Sequence, residues 1–463
     1  MKLRVKIFWL FIVLSFWGET LRADAIYGEV KYSRSANGEY AEVSGGTSMS
    51  ISVADVRSRV NVYARSYSVL GVGKYAFQNY YNLSSVVLPG TLKYIEPYAF
   101  YECNRLSSIV MPADLEYIQN CAFSYCIRLP AVTLPGKLKT LGEFAFEGCR
   151  GLVSLTIQES PLRVVSKGAF FNCVSLKNVS MPSAITTIDN NAFENCRSIV
   201  TIDLPDSLRS VGFYAFRGCS SLASLDLPYS LRSIGDYAFA GCTSLSEVIM
   251  PVHVANMGNC MFQGCTKLQR VVYMESPVRV SIKKATYDSC YSLREIVMPL
   301  GLLHIGDCAF RNCRELTSVN IPEGAVDIGT DAFRGCGSLK MVSIPATMAS
   351  IGDSAFVGCT ALDSVTIHVE TPYAFGAAAF SAISDHCVLI VPYGKAQAYR
   401  EAGWTEQVFK GGIKEMPMPA GIRQVRAGTQ EDVYYDLQGR PVAHPQKGKI
   451  YIVQGRKVVA GMP

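Results

Sequence analysis

The 463-residue sequence has only three tryptophans and five histidines, and no more than 18% of it is charged. His253, His304, His368, His386 and His444 stand at no metal-ligand spacing. No His-Glu-x-x-His, Gly-x-Ser-x-Gly or phosphate-loop glycine pattern occurs either. An enzyme is therefore not expected, nor is a cofactor or a metal. The net charge of +6 is too small to imply a nucleic-acid partner. Beyond the N-terminus no run approaches the about 18 apolar residues of a membrane-spanning helix. What is abundant is core material: 49% of the chain is hydrophobic, which excludes a disordered chain.

The first residues read as an export leader. Lys2, Arg4 and Lys6 precede the apolar run from Ile7 to Trp17, and Ala23 and Ala25 offer small residues to a signal peptidase. A signal peptide over 1–25 is expected, with the mature chain starting near Ile26. The first cysteine is Cys103, so the cysteine that a lipoprotein leader needs directly after itself is missing.

The rest is dominated by one repeat. Ala-Phe pairs put a phenylalanine, here called the mark, at 77, 100, 123, 146, 170, 193, 216, 239, 310, 333, 356 and 380, with Phe262, after Met261, and Tyr287 in the same slot. Ten of the thirteen intervals are 23 residues, a period that means stacked coils rather than separate domains. The mark and the cysteine three residues after it form the expected structural ladder: Phe100 and Cys103, Phe146 and Cys149, Phe193 and Cys196, Phe216 and Cys219, Phe239 and Cys242, Phe310 and Cys313.

Within one unit, Ser221 to Leu227 alternates with period two and ends at Pro228, as a short strand does when the next residue cannot donate to a ladder. An Ile or Val five residues before the mark, such as Ile234, Ile305 or Ile351, leads into the Ala-Phe pair and predicts one helical turn. Gly or Asn two residues after the mark (Asn195, Gly218, Gly241) predicts a left-handed exit. Asp236, Asp307 and Asp353 before the turn are expected to be N-caps. A single coil cannot bury its own apolar face, so the coils must stack.

The pattern Leu-x-x-Ile-x-Leu-Pro-x-x-Leu-x-x-Ile-Gly-x-x-Ala-Phe-x-x-Cys resembles the BspA-like class of leucine-rich repeats, over about Val72 to Ile383. The expected fold is a leucine-rich-repeat solenoid, a right-handed coil of about 13–14 units with parallel β-strands and short helical turns. Members of the class are typically secreted or surface-exposed, often in anaerobic bacteria, and several are adhesins. The resemblance implies such a role here.

Twelve of the sixteen cysteines hold the slot three after the mark. An exported cysteine-rich chain usually suggests disulfides, but equivalent side chains of stacked coils project in parallel. Buried thiols donating to backbone carbonyls are the expectation. Two residues before the mark, Tyr75, Tyr98, Tyr214 and Tyr237 read either as a partner-binding stripe or as aromatic stacking along the coil edge.

Strand positions eight and ten after the mark should face outward, and most are polar. In three consecutive units they are Glu247 and Ile249, Arg270 and Val272, Glu295 and Val297. An apolar strip rimmed by charge fits a protein-binding site; ordinary cross-strand stabilisation is the alternative.

The ends depart from the repeat. An N-terminal cap over 26–70 carries a hairpin signal at Asn37-Gly38, the solenoid covers 71–383, and a C-terminal cap with Trp404 and Phe409 covers 384–415. A linker over 416–430 then leads to a small β segment over 431–463 of about three strands. That tail resembles the C-terminal sorting domains of Bacteroidetes-type secreted proteins through its Tyr-Asp-Leu-x-Gly-Arg and Gly-x-Tyr-Ile-Val elements. The sequence as a whole reads as a monomeric, surface-displayed binding scaffold that engages a host or bacterial protein, with glycan binding as the alternative.

Overall fold

The computed structural model describes residues 25–275, 278–417, 423–425, 434–435, 441–442, 446, 449–453 and 456–460. Residues 1–24 of the proposed leader lie outside the described residues, as do Ser276 and Pro277. The chain forms two compact units, Met1–Pro299 and Leu300–Pro463.

Both units are built from the same parallel coil, a β-solenoid with almost no helix. Most coils contribute one short strand to a first sheet, following the cysteine, and one to a second sheet, preceding the next mark; the coils of Phe193 and Phe216 lack the first, so the strand expected over Ser221 to Leu227 is not formed, although Leu222 and Leu225 are buried there. In the first unit the first sheet includes Ala131–Leu134, Ser154–Ile157 and Asn178–Ser180, and further on Glu247–Met250, Arg270–Tyr273 and Glu295–Val297. The second sheet includes Val164–Val165, Thr187–Ile188, Ser210–Val211, Ser233–Ile234 and Asn256–Met257. All pair in parallel with a register step of one repeat. The second unit repeats the scheme with Ser318–Asn320, Met341–Ile344 and Ser364–Ile367 on one side and Asp327–Ile328 and Ser350–Ile351 on the other.

The expected helical turn is not a helix. Ile234, Ile305 and Ile351 lie in the second sheet, and among the described residues the α-helix is Ala396–Glu401 in the C-terminal cap. Around the mark the amides alternate between two kinds of bond. In the coil of Phe216, Ala215, Arg217 and Cys219 bond locally to Gly212, Tyr214 and Phe216, each three residues back. Tyr214, Phe216 and Gly218 instead donate to Asp236, Ala238 and Ala240 of the next coil, at 2.8–3.0 Å. The alternation requires left-handed residues at both ends of the turn, Tyr214 at φ 59° and Gly218 at φ 72°. Half of the turn's donors thus stitch the coils together, which a helix would have spent internally.

The glycine four residues before the mark serves close approach. A Cβ on Gly235 would stand 2.6 Å from the Phe213 nitrogen and 2.7 Å from the Gly212 carbonyl carbon of the preceding coil. Asp236, Asp307 and Asp353 are not helix N-caps: their Oδ1 atoms accept the backbone amides of Asn259, Thr330 and Ala377 in the following coil. They satisfy an inter-coil donor that the ladder misses.

The core is a column of marks. Phe100, Phe146, Phe193, Phe216, Phe239 and Phe310 are fully buried, and successive rings in the first unit stack at 5.0–5.8 Å from Phe77 to Tyr287. Stacking of this kind contributes about 0.5–1.5 kcal/mol per pair beyond simple burial.

At the N-terminal end Val30–Arg34 and Ala41–Gly46 pair antiparallel around Asn37 and Gly38, and Arg59–Val62 pairs with Arg65–Val72. At the other end Trp404 and Phe409 are buried against Phe380, with ring centroids 5.7 and 5.1 Å away. The region expected to be a linker contains the strand Arg423–Val425, which pairs in parallel with Arg456–Ala460. Together with Tyr434–Tyr435, Pro441–Val442 and Ile450–Val453 it makes a five-stranded sheet rather than three strands. Of the sorting-like tail, 431–433, 436–440, 443–445, 447–448, 454–455 and 461–463 lie outside the described residues.

Candidate partner-binding surface

The first sheet brings the six strip residues together. Glu247, Arg270 and Glu295 are register partners across three strands, and so are Ile249, Val272 and Val297. Alternation turns Val248, Val271 and Ile296 into the core and the other set outward. Ile249 is 49% exposed and Val297 41%, while Val272 between them is half-buried. Beside this row Arg270 bridges both carboxylates, its Nη1 2.6 Å from Glu247 Oε1 and its Nε 3.4 Å from Glu295 Oε2. All three charges are exposed, so the bridge orders the side chains more than it stabilises the fold. The result is a ridge of three aliphatics flanked by a fixed negative-positive-negative row.

The tyrosines do not form one stripe. Tyr75 stacks on Tyr98 at 5.4 Å and Tyr214 on Tyr237 at 5.1 Å, two pairs separated by coils that hold Cys121, Phe144, Gly168 and Asn191 in the slot. All four take left-handed φ, between 56° and 61°. Lys74 lies over Tyr75 at 4.8 Å and Arg217 over Tyr214 at 5.4 Å.

The cysteines lie inside. Cys103, Cys149, Cys196, Cys219, Cys242 and Cys313 are fully buried thiols. The Sγ of Cys149 donates to the Phe123 carbonyl at 3.2 Å, that of Cys196 to Phe170 at 3.2 Å and that of Cys242 to Phe216 at 3.4 Å. Burial pushes the Cys149 and Cys219 thiols up to about 12, so they stay protonated and can donate.

A second feature matches no motif in the sequence. The second sheet carries a groove of about 380 Å³ lined by Thr187, Ser210, Ser233 and Asn256. Asn190, Phe213, Asp236 and the glycines Gly212, Gly235 and Gly258 line it as well. One signal does point to it: the slot six before the mark, filled by Tyr94 and Tyr117 in earlier coils, is small and polar in the four successive coils from Thr187 to Asn256. Among the described residues no three His, Cys, Asp or Glu side chains converge as a metal site, and no helix is long and apolar enough to cross a membrane.

No curated protein matches the chain. Among solved structures it is similar to a leucine-rich repeat protein from Bacteroides ovatus, with 26% identity over 74% of this chain and 94% of that one, at a TM-score of 0.61. It is also similar to a leucine rich cell surface protein from Faecalibacterium prausnitzii, with 25% identity over 74% and 94% of the two chains, at a TM-score of 0.47. The BspA type leucine rich repeat region matches in six copies over residues 70–200, 186–279 and 280–388. With mark column, cysteine slot and paired parallel sheets all in place over that span, the chain belongs to the BspA-type leucine-rich-repeat family, whose members are protein-binding scaffolds and often cell-surface proteins.

Proposed function

We propose that this protein is an exported, surface-displayed adhesin that captures a protein on a host or bacterial surface through the first-sheet face of its first unit. The observation that carries the reading is the in-register row Ile249, Val272 and Val297 beside Glu247, Arg270 and Glu295. Exposed apolar side chains rimmed by ordered charge supply desolvation energy and a fixed electrostatic pattern to a partner. The equivalent outward slots of other coils hold Thr133, Thr156, Ser180, Ser343 and Thr366, which supply neither, and the exposed Val87 and Val110 in the same slot stand beside Ser85 and Ser108 rather than beside charge. The leader read in residues 1–25 supports export, and family membership supports display.

The test is surface plasmon resonance of the purified chain over a panel of matrix and cell-surface proteins. Saturable capture by at least one of them is expected. Failure of every panel member to bind would contradict the reading.

A further inference from the structure

We infer that the groove on the second sheet binds a neutral, linear oligosaccharide, a ligand class separate from the protein partner proposed above. The groove crosses four coils, and each coil places the residue six before its mark one strand spacing further on, at about 4.8 Å. That step is roughly the length of one pyranose unit in an extended glycan. These residues make a row of hydroxyl and amide groups, Thr187, Ser210, Ser233 and Asn256. Ser233 donates to Ser210 at 2.9 Å, which leaves each hydroxyl with further donor or acceptor capacity. Phe213, 49% exposed, and Asp236 also line the groove. Asp189 is among the lining residues, and its Oδ1 accepts the Asn190 amide at 2.7 Å.

A row of small hydroxyls with one exposed ring suits a polyol with apolar C–H faces. The hydroxyls and carboxylates exchange hydrogen bonds with sugar hydroxyls, and Phe213 covers a ring face. Gly212, Gly235 and Gly258 also line it, and a Cβ on any of them would meet the backbone of the preceding coil. An extended peptide would ask for unpaired strand amides, but those of Ser210 and Ser233 are already bonded to Thr186 and Arg209. A glycan makes no such demand.

The coil itself supplies a blocking substitution. Tyr94 and Tyr117 occupy the slot of Ser233 in earlier coils, so Ser233→Tyr is compatible with the fold and fills the groove. The full chain should be applied to an array of neutral and charged oligosaccharides, and the best neutral ligand of four or more units titrated by calorimetry. Binding is expected to weaken about ten-fold in Phe213→Ala and to vanish in Ser233→Tyr, with an unchanged melt in both. Ile249→Thr on the other sheet should leave it intact, which separates this site from the protein-capture face. The inference is overturned if no neutral glycan binds, if only charged glycans or peptides bind, or if Ser233→Tyr binds as the native chain does.

Discussion

The Sγ of Cys219 donates to the carbonyl oxygen of Phe193, 3.2 Å away and one coil earlier, while the Phe193 ring stacks on that of Phe216 at 5.4 Å. Thiol and ring thereby clamp the same pair of coils. The bond recurs through the column, as at Cys126 to Phe100, Cys265 to Phe239 and Cys359 to Phe333. A serine hydroxyl would fill the slot with a more hydrated group, and a larger apolar residue would leave the carbonyl without its donor.

This chemistry predicts alkaline instability. Burial holds Cys103, Cys149, Cys219, Cys265 and Cys359 up to about 12, whereas thiols of an unfolded chain ionise near 8.5. The folded state therefore keeps protons that the unfolded state releases. The stabilisation is complete below the unfolded range and is lost as pH rises toward 12. Each such thiol removes about 1.4 kcal/mol per pH unit in that window, so five together exhaust a typical stability within about two units. Circular dichroism under reductant should show cooperative unfolding between about pH 9 and 10.5. A chain still folded at about pH 11 would contradict the buried-thiol arrangement.

The mark column carries the core. Phe216→Ala is expected to destabilise by about 3–5 kcal/mol, because it removes a fully buried ring together with two stacking contacts. Urea denaturation measures this directly. A loss under about 1 kcal/mol would mean that the neighbouring rings close the cavity, and the column would then be a weak structural element.

The thiols should also be chemically silent until the chain opens. With protein purified anaerobically, alkylation in native buffer is expected to spare the ladder cysteines, and alkylation in denaturant without reductant to label them. Mass spectrometry that finds them linked in disulfides would require side chains rotated away from the carbonyls they now bond.

The repeat makes most of the coil legible in the amino-acid sequence. Alternation from Ser221 to Leu227 marks the outward-facing side at Ser224 and Asp226 although no strand forms there, and the Ala-Phe spacing marks the core. Gly218 announces its left-handed backbone, because glycine is the residue that takes it without cost. Tyr214 does not, since a tyrosine at φ 59° has no compositional signature; its conformation follows from the amide it sends to the next coil. For the same reason Asp236 reads as a helix cap and is not one. Local spacing cannot distinguish a carboxylate that serves its own turn from one that serves Asn259, 23 residues on. The strip is visible as three successive coils that set a charge beside an outward aliphatic, while the ion bridge through Arg270 needs the register.

The most direct test of the function exchanges the ridge for the residue its own neighbours use. Ile249→Thr, Val272→Thr and Val297→Thr together reproduce the slot as Thr133, Thr156 and Thr366 fill it, with strand propensity retained and Arg270 left between its two glutamates. Surface plasmon resonance against a captured protein partner should then show binding reduced by about a hundred-fold or lost, with the thermal melt of the native chain. Full binding by a folded triple variant would contradict the assignment of this face as the partner site.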